Sequence, residues 1–225
     1  MKVSVVTFPG SNCDEDAVHV ARNLLNADAD LVWHEESALP EGTQLVVIPG
    51  GFSYGDALRA GALARFSPIM EAVQAYAKAG GLVLGICNGF QVLVESGLLP
   101  GAMLPNASQK FVCKHVELKV ENHESPFTCA LEPTKTIGMP IAHHEGRYYI
   151  DNDGLQSLKV NGQIAFTYEG ENPNGSLESI AGIMNESRNV LGMMPHPERA
   201  SENILGSVDG LGIFESLKKT IEERT

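Results

Sequence analysis

The residues with the plainest chemical potential form an apolar run that ends on a thiol, Leu82-Val83-Leu84-Gly85-Ile86-Cys87-Asn88-Gly89-Phe90-Gln91. A strand that runs into Gly-x-Cys-x-Gly and then a helix is the thiol counterpart of the Gly-x-Ser-x-Gly nucleophile elbow. Such a turn holds its central residue in a strained backbone, and the flanking glycines relieve crowding where strand and helix pass closely. The helix adds a second aid, because its N-terminal dipole favours thiolate over thiol. A free thiol with a pKa of about 8.5 is only a few per cent ionised at pH 7, so a nucleophile needs that help. By itself the segment also suits a cysteine that is merely a small hydrophobe. Cys113 and Cys129 read as packing residues. Cys13, in the loop after the first strand, is open to packing or to a place near a ligand pocket.

Thiol chemistry needs a base. Of the seven histidines, His196 has an unusual frame, Met194-Pro195-His196-Pro197-Glu198-Arg199, in which two prolines fix the backbone on both sides. Residues two apart in an extended stretch point the same way, so Glu198 can accept the His196 ring N–H and stabilise the imidazolium. A rigid surface turn would explain the same four residues. The order nucleophile, base, acid departs from the nucleophile, acid, base order of the α/β-hydrolases. An oxyanion site is the remaining requirement, and Pro49-Gly50-Gly51-Phe52-Ser53-Tyr54-Gly55-Asp56 follows an apolar run at 44–48. A diglycine at the carboxyl end of a parallel strand lets N–H groups approach a ligand. The N–H of Gly51 and that of Asn88 are the expected pair, with Gly50 and Phe52 beside the substrate. No lysine follows in the spacing of a phosphate-binding loop.

These segments need elements to carry them. Strands are expected at 3–7, 30–34, 44–48 and 82–86, and helices at 14–25, from Ser67-Pro68 to 79, and at 88–95. Ser67 suits a side-chain cap with proline at the first helical position. This alternation implies an α/β fold, an open, mostly parallel sheet flanked by helices. The middle third changes to alternating patterns at 114–120 and 135–141, continued at 163–168 and 180–184, which read as mixed or antiparallel strands. A strand at 189–193 and an amphipathic helix at 210–223 close the chain. With no linker or repeat, residues 1–225 read as one domain with a mixed β region inserted after the parallel strands.

The net charge of −12 disfavours nucleic acid as a ligand, and no run of basic residues appears. No stretch approaches the roughly 20 apolar residues that span a bilayer, and the N-terminal apolar run is too short for a signal peptide. Four cysteines far apart, without C-x-x-C spacing, argue against a disulfide framework and against a metal site. A reducing compartment, the cytoplasm, is expected.

Together the opening strand, the Pro-Gly-Gly loop, Gly-Ile-Cys-Asn-Gly-Phe-Gln and Pro-His-Pro-Glu resemble the triad-type (class I) glutamine amidotransferases over nearly the whole chain. The resemblance implies a flavodoxin-like sheet, Cys87 as nucleophile, His196 as base, Glu198 as its partner and Gln91 as a substrate-holding residue. It also implies glutamine hydrolysis through a γ-glutamyl thioester. The segments 8–14, 51–56 and 141–147 are most similar to the branch that serves phosphoribosylformylglycinamidine synthesis in purine biosynthesis. That branch implies a partner: a large synthetase subunit that uses ATP and Mg²⁺, with a small accessory subunit, and no cofactor in this chain. His143, Glu145 and Arg147 form a possible partner or substrate loop, equally well read as an exposed turn. His144 stands where the family has glycine, and a positive φ there would strain it. Two rivals remain at this level: service to another synthetase, and a flavodoxin-like cysteine protein without glutaminase activity.

Overall fold

Apolar runs of four to six residues, buried on both faces, form the centre of the molecule. They are β1 (Lys2–Thr7), β3 (Leu45–Ile48) and β4 (Leu82–Ile86). Continuous rather than alternating hydrophobicity marks strands covered by helices on both sides, which is the condition for parallel pairing. With β2 (Asp28–Trp33) they give the parallel order β2-β1-β3-β4. The computed structural model describes residues 1–133 and 135–224.

Three helices cover this part of the sheet. α1 (Asp14–His19) continues as a π-helical turn, Val20–Leu24, closed by the Leu25 N–H on the Val20 carbonyl at 3.1 Å. α2 (Pro68–Lys78) begins with proline at its first turn, but the Ser67 hydroxyl does not cap it. That hydroxyl lies 2.9 Å from the Tyr54 hydroxyl, which in turn lies 2.9 Å from His34 Nδ1. α3 (Asn88–Glu95) buries almost its whole length behind β4.

The second half does not form a separate β region. β11 (Val190–Met193) lies parallel to β4, pairing Val190 with Val83 and Met193 with Ile86. Beyond it β10 (Ile180–Met184), β9 (Ile164–Tyr168), β6 (Val112–Val120) and β7 (Ile137–His143) add antiparallel strands. One nine-stranded sheet results, in the order β2-β1-β3-β4-β11-β10-β9-β6-β7. In β6 the alternation is the expected one, with Val116, Leu118 and Val120 buried and His115, Glu117 and Lys119 exposed. A small hairpin of β5 (Ala102–Leu104) and β8 (Arg147–Tyr149) and a helix α4 (Asn152–Val160) complete the insert. The closing helix α5 (Leu211–Arg224) buries Ile213, Phe214, Leu217 and Ile221. Among the described residues no helix is long and apolar enough to cross a membrane.

Candidate active site

Cys87 occupies the turn between β4 and α3 with φ 51° and ψ −104°, a conformation that costs a non-glycine residue about 1–3 kcal/mol. The surroundings impose it. The Cys87 N–H is held by the Met193 carbonyl of β11 at 2.7 Å, while the Cys87 carbonyl already accepts from Gln91 of α3. Close approach of helix to sheet explains the second glycine of the motif. A Cβ on Gly89 would lie 1.9 Å from the Ile48 carbonyl oxygen, so no side chain fits.

β11 delivers His196 to the same end of the sheet. The residue is extended (φ −102°, ψ 91°), and Pro197–Arg199 then forms a 3₁₀ turn rather than continuing the strand. That turn brings Glu198 Oε1 to 2.6 Å from His196 Nδ1. Both residues are 2% exposed. With Nδ1 donating to the carboxylate, Nε2 is the nitrogen free to exchange protons, and among the described residues it has no hydrogen-bond partner. Burial penalises a charged imidazole, but the Glu198 carboxylate and then Cys87 outweigh it and hold His196 well above the ordinary histidine range.

Cys87 and His196 line one cavity of about 210 Å³ with Gly51, Phe52, Cys13 and Arg199. Gly51 has φ +146°, and among the described residues neither its N–H nor that of Asn88 is taken by another group of the chain. The Asn88 side chain ties the two donors together, accepting the Ser53 N–H at 3.1 Å and donating to Gln91 Oε1 at 2.9 Å. Gln91 Nε2 then donates to the Glu145 carbonyl at 2.5 Å. Gln91 thus has both ends of its amide engaged and braces the Gly50–Asp56 loop and the 143–147 loop against α3. Cys13 is buried beside His196 and Glu198, with its thiol pushed up by burial, partly offset by His196.

A thiol on an elbow, a buried His–Glu pair and unengaged backbone N–H groups nearby are what acyl transfer from an amide requires. The model of the CobB/CobQ-like glutamine amidotransferase domain matches residues 1–211. The chain belongs to this glutamine amidotransferase family. It is 58% identical to phosphoribosylformylglycinamidine synthase subunit PurQ of Wolinella succinogenes, over 96% of this chain and 99% of that one. The subunit of the same name from Alkaliphilus metalliredigens is 54% identical over 99% and 97%. Among solved structures, PurLQS from Thermotoga maritima superposes with a TM-score of 0.88 at 44% identity, covering 98% of both chains. The glutaminase domain of CTPS from Trypanosoma brucei shares the fold alone. Its TM-score is 0.63 at 14% identity, over 97% of this chain and 94% of that one.

In this glutamine amidotransferase the 143–147 segment is not an exposed turn throughout. His143 ends β7 on its inward face, 3% exposed, and burial lowers its pKa to about 4. Its Nδ1 donates to Asn106 Oδ1 at 3.1 Å, and the Gly146 N–H bonds the same oxygen at 3.0 Å. Asn106 Nδ2 returns a bond to the His143 carbonyl at 2.9 Å. His144 is exposed and lies outside the positive-φ region, so the expected strain is absent. Glu145 Oε2 accepts the Ala60 N–H at 3.2 Å, and Arg147 sits half-buried in β8. Burial, with Glu145 nearby, raises Asp56 to about 6. Sequence reading gave no role to Asn106 or Arg199 and left Cys13 open. Arg199 stands one residue past the Pro-His-Pro-Glu motif, but nothing near Asn106 in the chain marks it.

Proposed function

We propose that the chain is the glutaminase subunit of a phosphoribosylformylglycinamidine synthase, working as a single amidotransferase domain. Cys87 Sγ attacks the side-chain amide carbon of glutamine while His196 Nε2 takes the thiol proton. The oxygen of the tetrahedral intermediate is held by the N–H groups of Gly51 and Asn88, one such donor contributing on the order of 100- to 1,000-fold in rate. His196 returns its proton to the departing nitrogen, ammonia leaves, and Cys87 carries a γ-glutamyl thioester. Water, deprotonated by His196, then releases glutamate and restores the thiol. Glu198 fixes the imidazole tautomer and stabilises its charged form throughout.

Gly50 and Phe52 border the bound substrate, and Arg199 offers the cation that its α-carboxylate needs. Gln91 acts on the substrate through Asn88, which it braces. The ammonia passes to a large synthetase subunit that binds ATP and Mg²⁺, assembled with a small accessory subunit in the cytoplasm. The loop carrying His143, Glu145 and Arg147 is the side of the site turned to substrate or synthetase.

The observation that supports this reading is the buried 2.6 Å His196–Glu198 contact, beside a cavity that His196 lines together with Cys87 and Gly51. The test is Cys87→Ser in the assembled complex. Glutamine-dependent turnover is expected to vanish while turnover on added ammonia persists. Retention of glutamine hydrolysis would remove Cys87 from the mechanism.

A further inference from the structure

Cys13 has no part in the amide chemistry, yet it lies inside the site. Its sulfur, a ring nitrogen of His196 and a carboxylate oxygen of Glu198 all lie within 4.8 Å of one another. Cys13, His196 and Glu198 are each 2% exposed. Among the described residues, two buried atoms here have no hydrogen-bond partner, His196 Nε2 and Glu198 Oε2. Cys87 lines the same cavity. The missing side chain of Gly50 permits the convergence, since a Cβ there would lie 3.0 Å from Cys13 Sγ and 2.7 Å from His196 Cε1.

Thiolate sulfur and imidazole nitrogen are the donors that thiophilic divalent cations select. Two cysteines and one histidine, with a fourth position left to water, form an attested zinc set. An imidazole whose second nitrogen is fixed by a carboxylate is the usual outer arrangement of such sites. With Zn–S near 2.3 Å and Zn–N near 2.0–2.1 Å, Cys13 and His196 come round one cation by a shift of about 1 Å, and Cys87, which lines the same cavity, supplies the second sulfur by turning its side chain toward them.

We propose that Cys13, Cys87 and His196 bind one thiophilic divalent cation of the zinc class, with Glu198 orienting the imidazole, and that the bound cation silences the triad. Two sulfur–metal bonds and one nitrogen–metal bond form, and two protons leave for each cation bound. The +2 charge is balanced by two thiolates, so a neutral group is buried. Nucleophile and base are then both occupied, and glutamine is spared while free thiophilic metal is high. The inhibition rests on the catalytic reading above; the coordination does not.

Two measurements test it. The purified chain, carrying Cys113→Ser to remove an exposed thiol, is titrated with Co²⁺ and followed by thiolate-to-cobalt absorption. One cation per chain is expected, and Cys13→Ser is expected to weaken it by more than the roughly 10- to 100-fold that loss of an outer partner costs. In the assembled complex Zn²⁺ is expected to stop glutamine-dependent turnover and spare ammonia-dependent turnover. The half-inhibiting Zn²⁺ concentration should rise at least tenfold (on the order of the affinity loss) in both Cys13→Ser and Cys13→Ala, each scaled to its own metal-free rate. No thiolate absorption at one equivalent, or equal Zn²⁺ sensitivity in wild type and both variants, would overturn the proposal. Cobalt binding through Cys13 together with glutamine hydrolysis by Cys87→Ser would instead uphold the site and defeat the catalytic reading.

Discussion

Gly50→Ala offers a steric test of the triad that touches no catalytic atom. Gly50 is not among the positive-φ residues, so alanine is compatible with its backbone and the added methyl group is the whole perturbation. That methyl group would stand 2.7 Å from His196 Cε1, and ordinary contact begins at 3.4 Å, so the ring must retreat by about 0.7 Å. It has little room to do so. His196 is 2% exposed, and its Nδ1 is held at 2.6 Å by Glu198. A misplacement near 1 Å typically costs about 100-fold in rate, so glutamine-dependent turnover is expected to fall by roughly 10- to 100-fold. Overpacking of this size also costs about 1–3 kcal/mol of stability. The assay is turnover of the assembled complex on glutamine and, separately, on ammonia, which should be unchanged. Adding Cys13→Ala relieves the contact with Sγ but not the one with the imidazole, so it should not restore the rate. Turnover on glutamine within threefold of wild type would refute the view that Gly50 sets the position of His196.

Three further substitutions test separate parts of the structure. Glu198→Gln keeps a hydrogen-bond partner for His196 but removes the charge, and the unpartnered Oε2 position leaves nothing to fix the amide orientation. A flipped amide would impose the wrong tautomer, so glutamine turnover at saturation should fall by about 100- to 10,000-fold; an unchanged rate would reassign the third member. Asp56→Asn probes pH-dependent stability. The folded pKa of about 6 lies above the ordinary value of 3.8, so the stability Asp56 contributes is complete below the unfolded value and lost as pH rises through about 6. Denaturant midpoints should show the Asn variant gaining about 1 kcal/mol on wild type at pH 7.5, after allowance for solvent screening, and less at pH 4. Asn106→Ala removes a buried carboxamide that bonds His143, Gly146 and Lys110, and urea unfolding should report a loss of about 2–4 kcal/mol.

The parallel half of the fold was legible because its strands are buried on both faces. Leu45–Ile48 and Leu82–Ile86 are apolar runs that stop at Pro49-Gly50 or at the elbow. The meeting of Cys87 and His196 was legible for a related reason: each follows such a run closely, at the strand end where side chains converge, and the turn at Pro197–Arg199 then brings Glu198 to the ring. The joining of the later strands to the same sheet was not readable, because it depends on β11 pairing with β4 across a long intervening stretch. α4 escaped notice since only Leu158 is buried along it, although Asp151, whose side chain accepts the Gly154 N–H at 2.8 Å, was a usable cap signal. His143 was readable in principle. Ile137, Met139 and Ile141 point inward at every second position, and one further step reaches His143. Asn106 was not, because His143 and Gly146, the partners that give it its place, are distant in sequence and no pattern surrounds it.

The pairing of β4 with β11 ties activity to the completion of folding. The proposed nucleophile and base follow neighbouring strands in fixed register, Ile86 opposite Met193, and the Cys87 N–H is bonded to Met193 itself. A slip of one residue would turn alternate side chains to the other face and separate the thiol from its base. Since β11 is the last strand in the chain, the elbow made early in synthesis stays inert until nearly the whole polypeptide has emerged and this non-local pairing, slow by its nature, has formed. On the proposed mechanism a nascent, truncated or misregistered chain spills no ammonia, and glutamine hydrolysis becomes a reporter of the native state.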